Sequence, residues 1–365
     1  MTLCRWLVWG SFGLGLMGAG CKNNTAEQQS AAPPGAVAAT PVADTAEAPK
    51  TDPECVGPIV TGTPTTLTAG KTTWELNGST LSAKTPPAGD TIVIGAVSDI
   101  KEDSEENKVN LRQFAAFFLK NKADLILVAG DTGENAAQVE GALSILADTK
   151  LPVLAIIGNR EGKKAFAAAL VSLRTKYPNV FNLNLVRHVV TPALEVISMP
   201  GYFNSRYIHA QDGCAYGPND LESVRTLARG ARAPTLLISH GGPKQDGPLA
   251  LDRTSEGANV GDPALAAVLA EAKIPFGVFG NIHEAGGHAT DLSGKELIKP
   301  GTSVSSLYLH PGAADAVRWG MNDKTESVGM AALVTVKAGK AKYEIVRALD
   351  PEKGKGKNAK KKGRK

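Results

Sequence analysis

Five short apolar runs, each ending in glycine or serine followed by a residue that can ligate metal or move a proton, constrain this chain more than any other feature. Residues 125–129 run into Gly130-Asp131, and residues 92–97 into Ser98-Asp99-Ile100-Lys101. Residues 153–157 lead to Gly158-Asn159-Arg160-Glu161, 236–238 to Ser239-His240-Gly241-Gly242, and 276–279 to Gly280-Asn281-Ile282-His283-Glu284. Short uninterrupted apolar runs are how parallel strands read when both faces are covered. Ligands of open α/β sheets gather at the carboxyl ends of such strands. An aspartate after one strand is ordinary turn or cap chemistry. Turn chemistry does not favour histidine, yet two of the chain's six, His240 and His283, stand at these ends.

Between the strands the apolar period changes to that of helices. Leu111, Phe114, Ala115 and Phe118 lie at i, i+3, i+4 and i+7, as do Phe166, Ala169, Leu170 and Leu173, and again Leu265, Val268, Leu269 and Ala272. Asp262-Pro263 reads as an N-cap followed by proline at the first helical position. Asn77-Gly78 between β-rich pieces signals a two-residue hairpin, expected on an edge of the main domain around Trp74 as a core aromatic. Residues 304–309, 330–336 and 341–346 read as strands, the last two antiparallel. The order strand, loop, helix, repeated, gives an α/β fold.

The ends of the chain read differently. Arg5 precedes an apolar run over 6–20 that is short for a membrane span and is followed by Cys21 and polar residues. This resembles a bacterial lipoprotein signal over 1–20, with Cys21 as the lipidated residue and a cell-envelope location, anchored to the membrane. Residues 21–54 are rich in Ala, Pro and Thr and read as a disordered tether. A main domain over 55–350 follows, and then a basic tail, 351–365, able to attract an anionic lipid or envelope polymer. The formal charge is +4, and the eight Lys and Arg of residues 353–365 supply more than all of it, leaving −4 for the rest. A mildly acidic body gives no reason to expect nucleic acid. With Cys4 in the signal and Cys21 lipidated, Cys55 and Cys214 are left for a disulfide in an oxidising compartment.

In order and spacing, the five strand ends over residues 91–310 resemble the calcineurin-like metallophosphoesterases. That family's signature is Asp-x-His, Gly-Asp, Gly-Asn-His-Asp/Glu, a lone His and Gly-His-x-His, each at the end of a β-strand. The resemblance implies a double β-sheet sandwich flanked by helices and a pair of divalent ions that activate a water against phosphorus. It assigns Asp131 as the bridging ligand, Asp99 and His283 to a first ion, and Asn159 and His240 to a second. Three positions depart from the pattern: Lys101 replaces a histidine of the first ion, Asn281 one of the second, and Arg160 the histidine that assists the leaving group.

A protonated lysine cannot ligate metal, so the first site is expected to be weakened or empty, with the Lys101 ammonium set between Asp99 and Asp131. At most one ion is then expected, bound by Asp131, Asn159, His240 and Asn281, and such ligands suit Mn²⁺, Mg²⁺ or Ca²⁺ better than zinc. Lys101, Arg160 and Arg206 are candidates for holding an anion. Two functions follow: a phosphoester hydrolase of reduced activity with Asp131 and Arg160 at its centre, or a non-catalytic module binding an anion or protein in the same pocket.

Overall fold

The computed structural model describes residues 53–85 and 89–350. The signal segment, Cys21, nearly all of the tether and the basic tail lie outside them. In chain order the elements are β1 (Thr65–Ala69), β2 (Thr72–Asn77), β3 (Thr80–Ala83), β4 (Thr91–Val97), α1 (Glu105–Lys120), β5 (Leu125–Ala129), α2 (Ala136–Ala147), β6 (Val153–Ile156), α3 (Lys163–Lys176), β7 (Val180–Asn182), β8 (His188–Val190) and β9 (Glu195–Met199). There follow α4 (Pro218–Gly230), β10 (Thr235–Ser239), α5 (Pro263–Glu271), β11 (Phe276–Val278), β12 (His288–Thr290), β13 (Leu297–Ile298), β14 (Leu307–His310), β15 (Trp319–Gly320), β16 (Glu326–Ser327), β17 (Met330–Lys337) and β18 (Lys340–Arg347).

The strands form two large sheets. One has the order β18-β17-β4-β5-β6-β7 and the other β1-β2-β3-β8-β9-β10-β11-β14-β12-β13. At the heart of the first, β4, β5, β6 and β7 are parallel. At the heart of the second, β9, β10, β11 and β14 are parallel.

Alternation along each strand decides which layer a side chain joins. Leu125, Leu127 and Ala129 of β5 share a buried cluster with Leu236 and Ile238 of β10 and with Phe276 of β11, so this cluster lies between the sheets. Ile126 and Val128 instead pack with Leu111, Phe114 and Phe118 of α1 and with Leu143 of α2. On the other side, Leu237 packs with Leu221 and Val224 of α4 and with Leu265 and Val268 of α5. Each fully buried Leu, Ile or Phe contributes roughly 1.5–3 kcal/mol. The result is two facing sheets with helices on both outer faces, as the family resemblance implies.

Local signals explain the boundaries. Asp262 caps α5 by accepting the Ala264 N–H at 2.8 Å, and its other oxygen accepts the Tyr216 hydroxyl at 2.9 Å. The hairpin joining β2 to β3 turns at Gly78-Ser79, one residue later than expected, because Asn77 still pairs with Thr80, and Trp74 is buried near the edge of the longer sheet. Residues 304–309 depart from the strand expected there: β14 begins only at Leu307, and Val304 makes an isolated bridge to Ala341. Cys55 and Cys214 form a disulfide with Sγ atoms 2.23 Å apart, tying the segment before β1 to the loop before α4. No helix among the described residues is long and apolar enough to cross a membrane.

Candidate metal centre at the strand ends

The carboxyl ends of β4, β5 and β6 deliver Asp99, Asp131 and Asn159, and those of β10 and β11 deliver His240, Asn281 and His283. The chain turns sharply there, because Asp99, Lys101, Asp131 and Asn281 all adopt positive φ, between 54° and 75°. Such a conformation is costly for residues other than glycine, and it gathers where function demands it. Two glycines make the close approach feasible. A Cβ on Gly130 would lie 2.7 Å from His240 Nδ1, and one on Gly158 only 2.3 Å from Asp131 Oδ1.

Asp131 is held from several directions. Its Oδ1 accepts the backbone N–H groups of Asn159 and Arg160, each at 3.0 Å, and stands 3.2 Å from His240 Nε2. His240 is fully buried, and its Nδ1 donates to the Ala129 carbonyl at 2.8 Å, which fixes the tautomer. Its Nε2 then faces two oxygens, Asp131 Oδ1 and, at 3.0 Å, Asn159 Oδ1. Asn159 is itself oriented by donating Nδ2 to the Tyr207 carbonyl at 2.8 Å. Ligand atoms of Asp99, Asp131 and His240 all lie within 4.8 Å of one another, so these three buried residues form a candidate metal site.

Electrostatics bind the group together. Burial opposes charge on His240, but the Asp131 carboxylate beside it pushes the imidazole up to about 10. Burial also raises the Asp99 carboxyl, yet its hydrogen bond to His283 and the surrounding imidazoles hold it well below the usual range. His283 Nε2 sits 3.2 Å from Asp99 Oδ1, and the Asn281 N–H donates to the same carboxylate at 3.1 Å. Glu161 is fully buried and accepts the Thr132 N–H and, at 2.9 Å, the Gly158 N–H, fastening the loop after β5 to that after β6. Burial, then the charge of Asp131, push its carboxyl up to about 7.

One side chain differs from its expected placement. The Lys101 ammonium pairs not with Asp99 or Asp131 but with Asp315, at 2.7 Å, and lies over the Trp319 ring at 4.1 Å. Trp319 donates Nε1–H to Asp315 at 2.9 Å and lies against the His283 ring at a 46° tilt, centroids 4.2 Å apart. The buried Asp315 supplies a closer counter-charge than the two carboxylates of the site, so Lys101 is drawn aside. Asn281 donates Nδ2 to the Tyr202 hydroxyl at 3.0 Å, leaving only Oδ1 to ligate. Arg206 is exposed in a short turn, Ser205–Tyr207.

Arg160 pairs with Glu134 through one terminal nitrogen, while its buried Nε–H has no partner. That orphan is one of five among the described residues. The others are Thr132 Oγ1, Ser239 Oγ, His310 Nε2 and Asp315 Oδ2, the last in ion-pair contact with Lys101. Thr132 follows Asp131 and Ser239 precedes His240, so unsatisfied polar atoms collect around one centre, where buried polar groups are otherwise almost always paired. His310 ends β14 fully buried, and burial drives its imidazole down to about 3. Its Nδ1 accepts the Gly312 N–H at 3.0 Å. Asp315, Trp319, Tyr202 and His310 carried no sequence signal, since each reaches the centre from coil or from a short strand.

No protein-family model matches the chain. Among curated proteins, a subunit of the nuclease SbcCD from Staphylococcus epidermidis is 26% identical over 133 residues, covering 32% of this chain and 36% of that protein. The chain therefore matches only about a third of that relative's length. One solved crystal structure superposes with a TM-score of 0.51 at 13% identity, over 70% of this chain and 99% of the other. Two further structures cover similar shares. TT1561 of Thermus thermophilus matches at a TM-score of 0.49 and 13% identity, over 70% of this chain and 99% of that one. A dimetal phosphatase from Danio rerio matches at 0.46 and 11%, over 71% and 99%. With two facing sheets, helices outside both, and acidic, amide and imidazole side chains at the parallel strand ends, the chain has a metallophosphoesterase-like fold with a three-residue candidate metal site.

Proposed function

We propose that the chain is a divalent-metal-dependent phosphoester hydrolase built around a single ion, with turnover weakened relative to the two-ion chemistry that the family resemblance implies. The observation that carries this reading is the environment of His240 Nε2. With Nδ1–H committed to the Ala129 carbonyl, Nε2 meets two acceptor oxygens, of Asp131 and Asn159. A cation between these three atoms, proton or metal, is what reconciles them. The residues therefore fit a metal, and the orphaned Thr132 and Ser239 hydroxyls beside them agree with that.

Asp131, Asn159, His240 and Asp99 would hold the ion, with Asn281 Oδ1 as a further donor. A mostly oxygen set suits Mn²⁺, Mg²⁺ or Ca²⁺ better than zinc. The ion would supply Lewis acidity toward a phosphoryl oxygen and acidify a water. The chain's own residues do the rest. The two backbone N–H groups on Asp131 Oδ1 fix that carboxylate, and the Tyr207 carbonyl fixes the Asn159 amide. Arg160, with its unpartnered Nε–H, is the group that can hold a phosphoryl oxygen, but as a permanent cation it cannot hand a proton to a leaving group. At the first-ion position Lys101 contributes no ligand and is bound to Asp315, leaving Asp99 and His283 paired with each other.

The alternative is a module that binds an anion or protein without turnover, favoured by arginine standing where the resemblance puts a histidine. Assays on bis(p-nitrophenyl) phosphate and p-nitrophenyl phosphate with Mn²⁺ separate the two. Turnover that disappears in Asp131→Ala supports hydrolysis; no metal-dependent turnover on either ester leaves the binding module.

The envelope assignment belongs to the same proposal: lipid on Cys21, a membrane-anchored protein, and a basic tail meeting anionic lipid or polymer. It is supported by the sequence around Cys21 and the run of Lys and Arg over 353–365. Radiolabelled palmitate incorporated by the parent and not by Cys21→Ala tests it. The curated relative is a nuclease by name, but the mildly acidic body argues against nucleic acid as this chain's partner.

A further inference from the structure

Beside the candidate metal site opens a cavity of about 510 Å³ whose inner end is formed by Asn159 and Asn281. A phosphoryl group held at the centre would extend its organic part into this space. The charge of the walls is unusual for a phosphate-binding cleft, because neither lysine nor arginine lines the cavity, while Glu256 and Glu284 do. Of the cations of the centre, Lys101 is committed to Asp315, and Arg160 pairs with Glu134 through a terminal nitrogen and keeps its Nε–H for the phosphoryl group, so neither lines this space.

Two phenol rings, Tyr202 and Tyr207, meet edge to face in the same wall, with centroids 6.4 Å apart. Tyr202 is buried and faces the space with its hydroxyl end, whereas Tyr207 is 53% exposed and offers its ring face. Tyr202 accepts the Asn281 amide at its hydroxyl, and Tyr207 is fixed through its backbone carbonyl to Asn159. Glu284 is fixed as well, since one carboxylate oxygen accepts the Ser255 N–H at 2.8 Å. Carboxylates and a tyrosine face around one space recognise an ammonium group, by Coulomb attraction and by the ring quadrupole. They repel a second phosphate or a nucleic-acid backbone.

Resting on the proposed hydrolase, we infer that the substrate is a phosphodiester carrying a small alkylammonium alcohol of the choline type, whose cationic end lies against the Tyr207 ring and the two glutamates. This is a narrower class than phosphoesters at large, and it excludes polyanionic nucleotides.

The test uses two diesters with the same leaving group, p-nitrophenyl phosphorylcholine and p-nitrophenyl thymidine 5′-phosphate, on the full chain with Mn²⁺. The expected result is a kcat/KM at least about tenfold higher for the choline ester, with that ratio falling several-fold in Glu256→Gln and in Tyr207→Ala. A ratio near one, a preference for the thymidine ester, or a ratio that neither variant changes overturns the inference. If neither ester is hydrolysed, calorimetry with phosphocholine and thymidine monophosphate decides. Selective binding of phosphocholine upholds the pocket while the hydrolase reading fails, and absence of that selectivity overturns the pocket as well.

Discussion

Replacing Lys101 by alanine isolates the charge that distinguishes this centre. Alanine pays the same left-handed backbone cost at φ 68° as lysine, so the comparison reports the ammonium and its stem. The Lys101 side chain is 12% exposed and that of Asp315 1%, and at 2.7 Å the gross attraction is about 6 kcal/mol at an effective dielectric of 20. Desolvation cancels much of that, but deleting one partner leaves Asp315 ionised and buried with the Trp319 N–H as its remaining donor. The net loss should be about 3 kcal/mol, including a smaller part from the cation–π contact. For about 300 described residues, each adding about 2.1 cal/mol/K to the unfolding entropy, that is roughly 5 °C in Tm. Asp315→Ala should cost less, because the freed ammonium can turn toward solvent, and the double variant should fall short of the sum by about 2 kcal/mol. Thermal melts of the four proteins, with and without Mn²⁺, are the assay. The metal-induced shift should be equal in parent and Lys101→Ala, since the ammonium lies on Asp315 and not among the ligands. A melt of Lys101→Ala within about 1 °C of the parent, or a metal shift clearly larger in the variant, would refute this reasoning and return the lysine to the first-ion position.

Other outcomes follow from the same geometry. The folded-state pKa of His240 is raised from 6.5 to about 10, so in metal-free protein its stabilisation is complete below pH 6.5 and is lost as pH rises through 10. Mn²⁺ affinity should rise across that window as the competing proton leaves, and paired melts from pH 6.5 to 10 should show both trends in the parent and neither in His240→Asn. Because Arg160 offers no proton, p-nitrophenyl esters should be cleaved faster than phenyl esters by at least about 100-fold, and Arg160→His should narrow the gap. Joint replacement of Cys55 and Cys214 by serine opens a loop of sequence separation 159 and should cost about 2–5 kcal/mol, read as a lower denaturation midpoint than that of the oxidised parent.

The strand ends were legible because each strand is a short apolar run with its polar residue immediately after it. Chain order therefore placed Asp99, Asp131, Asn159 and His240 together once the strands were known to be parallel. The helices announced themselves by period, as with Phe114 and Phe118 against Ile126 and Val128. What the sequence could not convey was the destination of long side chains. Lys101 looked like a cation among carboxylates because nothing local marks Asp315, which arrives from coil after β14 and outcompetes them. His310 gives no local sign of its place: it closes a four-residue strand and is followed by Pro311, while its burial comes from neighbouring strands. Tyr202 and Tyr207 come from irregular chain, and their contacts with Asn281, His240 and Asn159 connect them to the centre.

The claim that one ion is held by the Asp131, Asn159 and His240 group is tested most directly by titrating metal-free protein with Mn²⁺ in a calorimeter. The account predicts one equivalent bound, lost in His240→Ala and kept in His283→Ala. Two equivalents, none, or one that survives His240→Ala and disappears in His283→Ala would contradict it.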